Sequence, residues 1–132
     1  MTALTTTQAA ALLKASLGVA TLTAFSGSAN IRLTTNSPTA STAGTQLTGS
    51  GYTSGGQAVS FSSTSSNSTT GPTSTISWTN SSGSTWSIVG IEIWDSAGTP
   101  IRWWYGTWNG QPISVANGNT FTVSAGAVTV QI

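Results

Sequence analysis

The feature that most constrains this chain is a change of hydrophobic period. From Ala20 onward, apolar residues recur at every second position in short runs. Leu22 and Asn30-Ile31-Arg32-Leu33-Thr34 begin the pattern, and Val59-Ser60-Phe61, Ile76-Ser77-Trp78 and Trp86-Ser87-Ile88 continue it. Ile101, Trp103 and Tyr105 then share one face of a further run, before Ile113-Ser114-Val115, Phe121-Thr122-Val123 and Val128 to Ile132. Side chains alternate across a pleated strand, so a run of period two reads as a half-buried strand. Asp95-Ser96-Ala97-Gly98, Asn109-Gly110, Asn117-Gly118-Asn119 and Ala125-Gly126 punctuate the runs as turns.

Short strands at this spacing predict a mainly β fold: an antiparallel, jelly-roll-like β-sandwich of about seven or eight strands. Apolar parity changes from Trp86 and Ile88 to Val89, Ile91 and Ile93, which predicts a β-bulge at Gly90. The Ser/Thr/Gly-rich stretches 36–56 and 62–75 read as long surface loops.

Only the N-terminus has helical spacing. Thr5-x-x-Gln8 forms a capping box, Ala9, Leu13 and Leu17 make one apolar stripe with Leu12 beside it, and Gly18 suits the residue past the C-terminus. The expected organisation is a helical arm over 1–19 and a β-sandwich over 20–132. The arm packs on its own domain or docks on a neighbouring subunit.

Charge excludes many functions. The five charged side chains of 132 residues are Lys14, Arg32, Glu92, Asp95 and Arg102, where about a quarter is usual. Ser and Thr, 22 and 25 of them, take their place. There is no Cys or His, so no disulfide framework, thiol nucleophile, imidazole metal site or Ser-His-Asp triad can form. Three basic residues cannot track a phosphate backbone, so no nucleic-acid partner is expected. No apolar run approaches the ~20 residues of a membrane span. The N-terminal apolar run contains Lys14 and lacks a basic leader, so it is not read as a signal peptide. No cofactor, metal or enzymatic activity is expected.

The densest segment runs from Ile91-Glu92-Ile93-Trp94-Asp95 through Arg102-Trp103-Trp104-Tyr105-Gly106-Thr107-Trp108. As a hairpin it brings Glu92 or Asp95 near Arg102. Three readings stand: a structural ion pair with Trp faces, a carbohydrate site, or glycoside hydrolysis by two carboxylates. The last is awkward, because residues three apart fall on opposite faces of a strand. Trp103 and Trp104 likewise point to opposite faces, so one is core and the other an interface anchor, or each is covered by one layer.

Val89-Gly90-Ile91-Glu92-Ile93-Trp94-Asp95-Ser96-Ala97-Gly98, Trp104-Tyr105-Gly106 and the segments Val115 to Val123 and Ala125 to Val130 carry a resemblance. They resemble small β-rich virion proteins of tailed bacteriophages, particularly actinobacterial ones, described as tail-fibre, minor tail or head-decoration proteins. Ile31 to Thr35, Gly51-Tyr52 and Val59-Ser60-Phe61 extend it over about residues 30–132. The resemblance implies a non-enzymatic virion protein made in the host cytoplasm. The leading expectation is a capsid decoration protein, oligomeric and perhaps trimeric, that binds the major capsid protein. Its contacts would come from Leu4, Leu12, Leu13 and the exposed member of Trp103, Trp104 and Trp108. The alternatives are a tail-fibre or minor tail protein with Trp-rich loops for host glycans, and a carbohydrate-binding module.

Overall fold

The computed structural model describes residues 2–62 and 67–132. The described residues are mainly β with one short helix. The described elements are β1 (Ala3–Leu4), α1 (Thr6–Ser16), β2 (Ala29–Thr34), β3 (Gln57–Val59), β4 (Ser68–Gly71), β5 (Ile76–Thr79), β6 (Trp86–Ile88), β7 (Gly90–Trp94), β8 (Arg102–Thr107), β9 (Ile113–Val115), β10 (Thr120–Val123) and β11 (Val128–Gln131).

Residues 68–131 form one antiparallel ribbon bent back on itself at 95–101. Its pairings nest: β7 with β8, β6 with β9, β5 with β10, and β4 with β11. The innermost pair is extended into a five-stranded antiparallel sheet, in the order β1-β8-β7-β2-β3. The outer three pairs are two-stranded ladders. Alternation supplies the core: Ile31, Leu33, Ile91 and Ile93 from the sheet meet Trp78, Ile88, Val123 and Val130 from the ladders, and all are buried.

Aromatic residues fill the ladder side. Tyr52 stacks on Trp78 with ring centroids 6.0 Å apart, Trp78 stacks on Phe121 at 6.4 Å, and Trp108 meets Phe121 edge-on at 5.5 Å. The Tyr52 hydroxyl accepts from the Leu33 N–H and Gln46 Nε2, both at 3.1 Å. That bond ties the loop 36–56 to β2. Burial pushes the Tyr52 phenol above its usual range, against the opposing hydrogen bond from Gln46.

The parity change at Gly90 has a different cause from the one expected. No bulge lies there; the chain leaves the β6–β9 ladder and enters the main sheet. Gly90 is required because a Cβ would collide with Pro38 and Thr34. The bulge occurs instead on β8, where Trp104 pairs with Ile93 and Arg102 with Trp94, leaving Trp103 as the extra residue. The alternation through Ile101, Trp103 and Tyr105 therefore breaks, and Arg102 lies on the Tyr105 side, its guanidinium 5.8 Å from that ring.

Two other expectations shift. The 62–75 stretch contains β4, because apolar β11 recruits a Ser/Thr strand with no apolar alternation of its own; residues 63–66 lie outside the described residues. Leu22 belongs to no strand, and 36–56 forms no strand beyond a single bridge at Gln46.

At the N-terminus, β1 pairs with β8, and the Thr5 hydroxyl caps α1 by accepting from the Gln8 N–H at 3.4 Å. The helix ends in a Schellman motif: Val19 N–H donates to the Lys14 carbonyl at 2.9 Å and Gly18 N–H to Ala15 at 3.1 Å, with Gly18 at φ 69°. Its inward face is Gln8, Ala11, Leu12 and Ala15. The Ala9–Leu13–Leu17 stripe faces outward instead, because β1 fixes the helix with Gln8 turned inward.

Asn80 is fully buried just past β5 and has every bond satisfied. Its Nδ2 donates to the Ser84 and Val115 carbonyls at 2.7 and 2.8 Å, while Oδ1 accepts from Ser82 N–H and Oγ at 2.9 and 2.7 Å. Asn80→Asp replaces two donors by a carboxylate facing two carbonyls. It should lower stability by about 3 kcal/mol, read as a lower urea midpoint with unchanged slope.

Candidate functional site

Four of the five charges are used inside the fold. Glu92, at the centre of β7, is 2% exposed and faces Arg32 of β2 and Tyr105 of β8 in register. Its carboxylate accepts from Arg102 at 2.9 Å, the Gly44 N–H at 2.8 Å and Trp94 Nε1 at 2.9 Å. Arg102 also donates to the Thr42 and Ala40 carbonyls at 2.9 and 3.3 Å. Arg32 lies over the Trp94 ring at 4.1 Å and donates to the Gly55 carbonyl at 3.1 Å. The charged face of the sheet is thus sealed beneath the 36–56 loop, whose backbone supplies the remaining partners. The hydrogen bonds of these groups are made within the fold.

Asp95 occupies the hairpin bend and is fully buried. Its carboxylate accepts from Ile101 N–H at 2.8 Å, Trp103 Nε1 at 3.2 Å and Ala97 N–H at 3.4 Å. Burial alone would raise its pKa; these bonds outweigh burial and hold the carboxyl below its ordinary value. Arg102 bonds Glu92 and not Asp95. The two carboxylates therefore have separate partners, and no acid/base pair forms.

An open cleft of about 550 Å³ lies between the main sheet and the β4–β11 ladder. Three cross-strand pairs line it: Ala29 with Val59, Ile93 with Trp104, and Thr69 with Val130. Phe25 and Phe61 complete its aromatic wall, and Ser28, Ser60 and Thr69 bring hydroxyls. Phe61 can lie there because Gly71 has no side chain; a Cβ at Gly71 would sit 2.5–2.9 Å from the Phe61 ring. Among the described residues, no charged one lines the cleft. Its volume and its apolar walls with a few polar groups suit a small-ligand site.

The sequence candidates separate as follows. Trp104 lines this cleft, half-buried. Trp103 is buried, packs on Phe25 at 5.4 Å and serves Asp95. Trp108 is half-buried against Phe121. Leu4 pairs with Trp104 across β1 and β8, Leu12 is half-buried, and Leu13 is exposed. Phe25, Phe61 and Thr69 were not singled out by sequence reasoning. Phe61 had a local signal, the Val59-Ser60-Phe61 alternation; Thr69 had none.

A sequence profile described as "Podophage GP4 fiber I protein gp80" matches residues 3–131. The chain belongs to this gp80 family. A gp80-family chain is a structural protein of the phage virion, which agrees with the coarse part of the resemblance read from its turns and strands. No curated protein matches it. The matched region includes β1 and α1 as well as the ribbon, so the N-terminal segment is part of the gp80 family unit.

In this gp80-family protein, the depressed Asp95 pKa fixes the acid limb of stability. The contribution is fully present above the ordinary value of 3.8 and is lost as pH falls through the lower folded value. Thermal midpoints should be flat from about pH 5 to 8 and fall below about pH 4. Asp95→Asn should cost about 2 kcal/mol at pH 7 and flatten the acid fall. Glu92→Gln should cost about 3 kcal/mol, because it leaves the Arg102 guanidinium largely buried without its counter-charge. Calorimetry across pH checks all three.

Proposed function

We propose that this gp80-family chain is a tail-fibre subunit whose cleft at Trp104 receives an uncharged saccharide of the host surface. The observation that carries the reading is the cleft: an aromatic wall of Trp104, Phe25 and Phe61 beside the hydroxyls of Ser28, Ser60 and Thr69, with no charged lining residue among those described. Sugar rings present apolar C–H faces that stack on aromatic rings, and hydroxyl edges that bond Ser and Thr. A phosphorylated or carboxylated sugar would lose its hydration there and find no cation in return.

The family's fibre designation favours a place on the tail over a place on the capsid lattice. The nested antiparallel ribbon and the five-stranded sheet hold the walls of such a cleft in register. Binding would need no chemistry. The chain contacts other virion proteins, and the cleft supplies only reversible attachment.

Glycan-array binding by the purified chain tests this. Neutral oligosaccharides should bind, and their charged counterparts should not. Trp104→Phe should weaken binding about 10-fold, and Thr69→Val less, with thermal midpoints close to that of the parent. Binding of charged glycans alone, or neutral binding untouched by both substitutions, contradicts the proposal.

A further inference from the structure

The connection between α1 and β2 is loosely held by the domain. Residues 19–25 read Val-Ala-Thr-Leu-Thr-Ala-Phe. The composition is that of a strand: β-branched and aromatic residues at alternate positions, with no Pro, no Gly and no charge. In the fold the segment belongs to no ladder. Among the described residues, no hydrogen bond involves residues 20–25; the bonds stop at Val19 N–H to Lys14 and resume at the Ser26 carbonyl, which accepts from Ser96 N–H. Six of the seven residues are exposed and Leu22 is half-buried. Among the described residues, four of the five exposed large hydrophobics, Leu13, Leu17, Val19 and Phe25, lie in or just before it.

Backbone groups of a β-competent segment can be satisfied by water, but most of its side chains then stay exposed; Phe25 packs on Trp103 and Leu22 is half-buried. The sequence itself says what fits. Residues 19–25 are nearly palindromic about Leu22: Thr21 mirrors Thr23, Ala20 mirrors Ala24, and Val19 mirrors Phe25. An antiparallel strand pair related by a two-fold axis sets each residue against its mirror. We infer that residues 19–25 pair antiparallel with the same residues of a second copy of this chain, in the register that sets Leu22 opposite Leu22.

That register puts Leu22 on Leu22 and Ala20 on Ala24 on one face. On the other face Thr21 meets Thr23, and Val19 meets Phe25. Thr–Thr and aromatic–β-branched pairs are among the favourable cross-strand combinations. No like charges oppose each other, because no charged residue lies between Lys14 and Arg32. A slip by one residue would set Leu against Thr and Ala against Thr, so the palindrome also fixes the register. The two-residue turn into β2, Ser26-Gly27, stays on its own domain: Gly27 has φ 73° and its position leaves no room for a Cβ beside Ser96. Phe25 also lines the cleft, so this pair would lie at the cleft's edge, whatever the cleft binds.

The chain has no Cys, which makes the test clean. Opposed residues of an antiparallel pair have Cα atoms about 4.5–5.5 Å apart, within disulfide reach. Under mild oxidation, full-length Leu22→Cys should give a covalent dimer. Ala20→Cys alone should not, since its copy lies about four residues away, roughly 13 Å along the strand. Mixed with Ala24→Cys, it should cross-link to that variant. Light scattering of the parent chain should give the mass of a dimer. A monomer at about 100 μM, or equal cross-linking at Leu22 and Ala20 alone, overturns the inference. So does an oligomer that cross-links at neither. A circular dichroism spectrum matching the parent's shows that each variant is folded.

Discussion

The hairpin bend at Asp95 sets the register of everything that follows it. A fully buried carboxylate accepts from the Ile101 and Ala97 N–H groups and from the Trp103 indole, so the chain has one way to turn. Once β7 and β8 are aligned, the three outer ladders are measured outward from that bend, pair by pair. The bulge at Trp103 follows from the same constraint. The extra residue lets one indole reach Asp95 while its neighbour Trp104 pairs with Ile93 and lines the cleft. Bulges commonly re-aim side chains in this way beside functional sites.

The second constraint is where the charge goes. Glu92 and Arg102 are enclosed under the 36–56 loop, Arg32 lies over Trp94, and Asp95 is in the bend. Among the described residues, only Lys14 is left exposed, in the last turn of α1 where a positive charge suits the helix dipole. The outer surface is therefore a nearly uncharged Ser/Thr coat. Such a surface has little electrostatic guard against association, and it suits a protein that works inside an assembly.

Much of the fold was legible because alternation is a direct record of the pleat. The strands around Ile31, Trp78, Trp86, Ile91, Phe121 and Val128 are where the period places them, and the 95–101 turn carries its own signature. β4 was not legible, since Ser-Thr-Thr-Gly becomes a strand only when β11 is beside it. The orientation of α1 was not legible either. Periodicity puts Leu13 and Leu17 on one face of α1 without saying whether that face meets its own domain or a neighbour; β1 pairing turns Gln8 inward and leaves both leucines exposed. Proximity of Glu92 and Arg102 follows from a hairpin, but the choice of Glu92 over Asp95 depends on the bulge, which no local pattern announces. The cleft draws on six separated segments, so only Trp104 could be singled out in advance.

The family and the fold together describe a nearly uncharged β module of a phage virion, which we propose stands on the tail. Electron cryomicroscopy of the intact virion measures this directly. Density for this ribbon and its five-stranded sheet is expected in fibres attached to the tail, in a few to a few dozen copies. Hundreds of copies seated on the capsid lattice, with none on the tail, would contradict it.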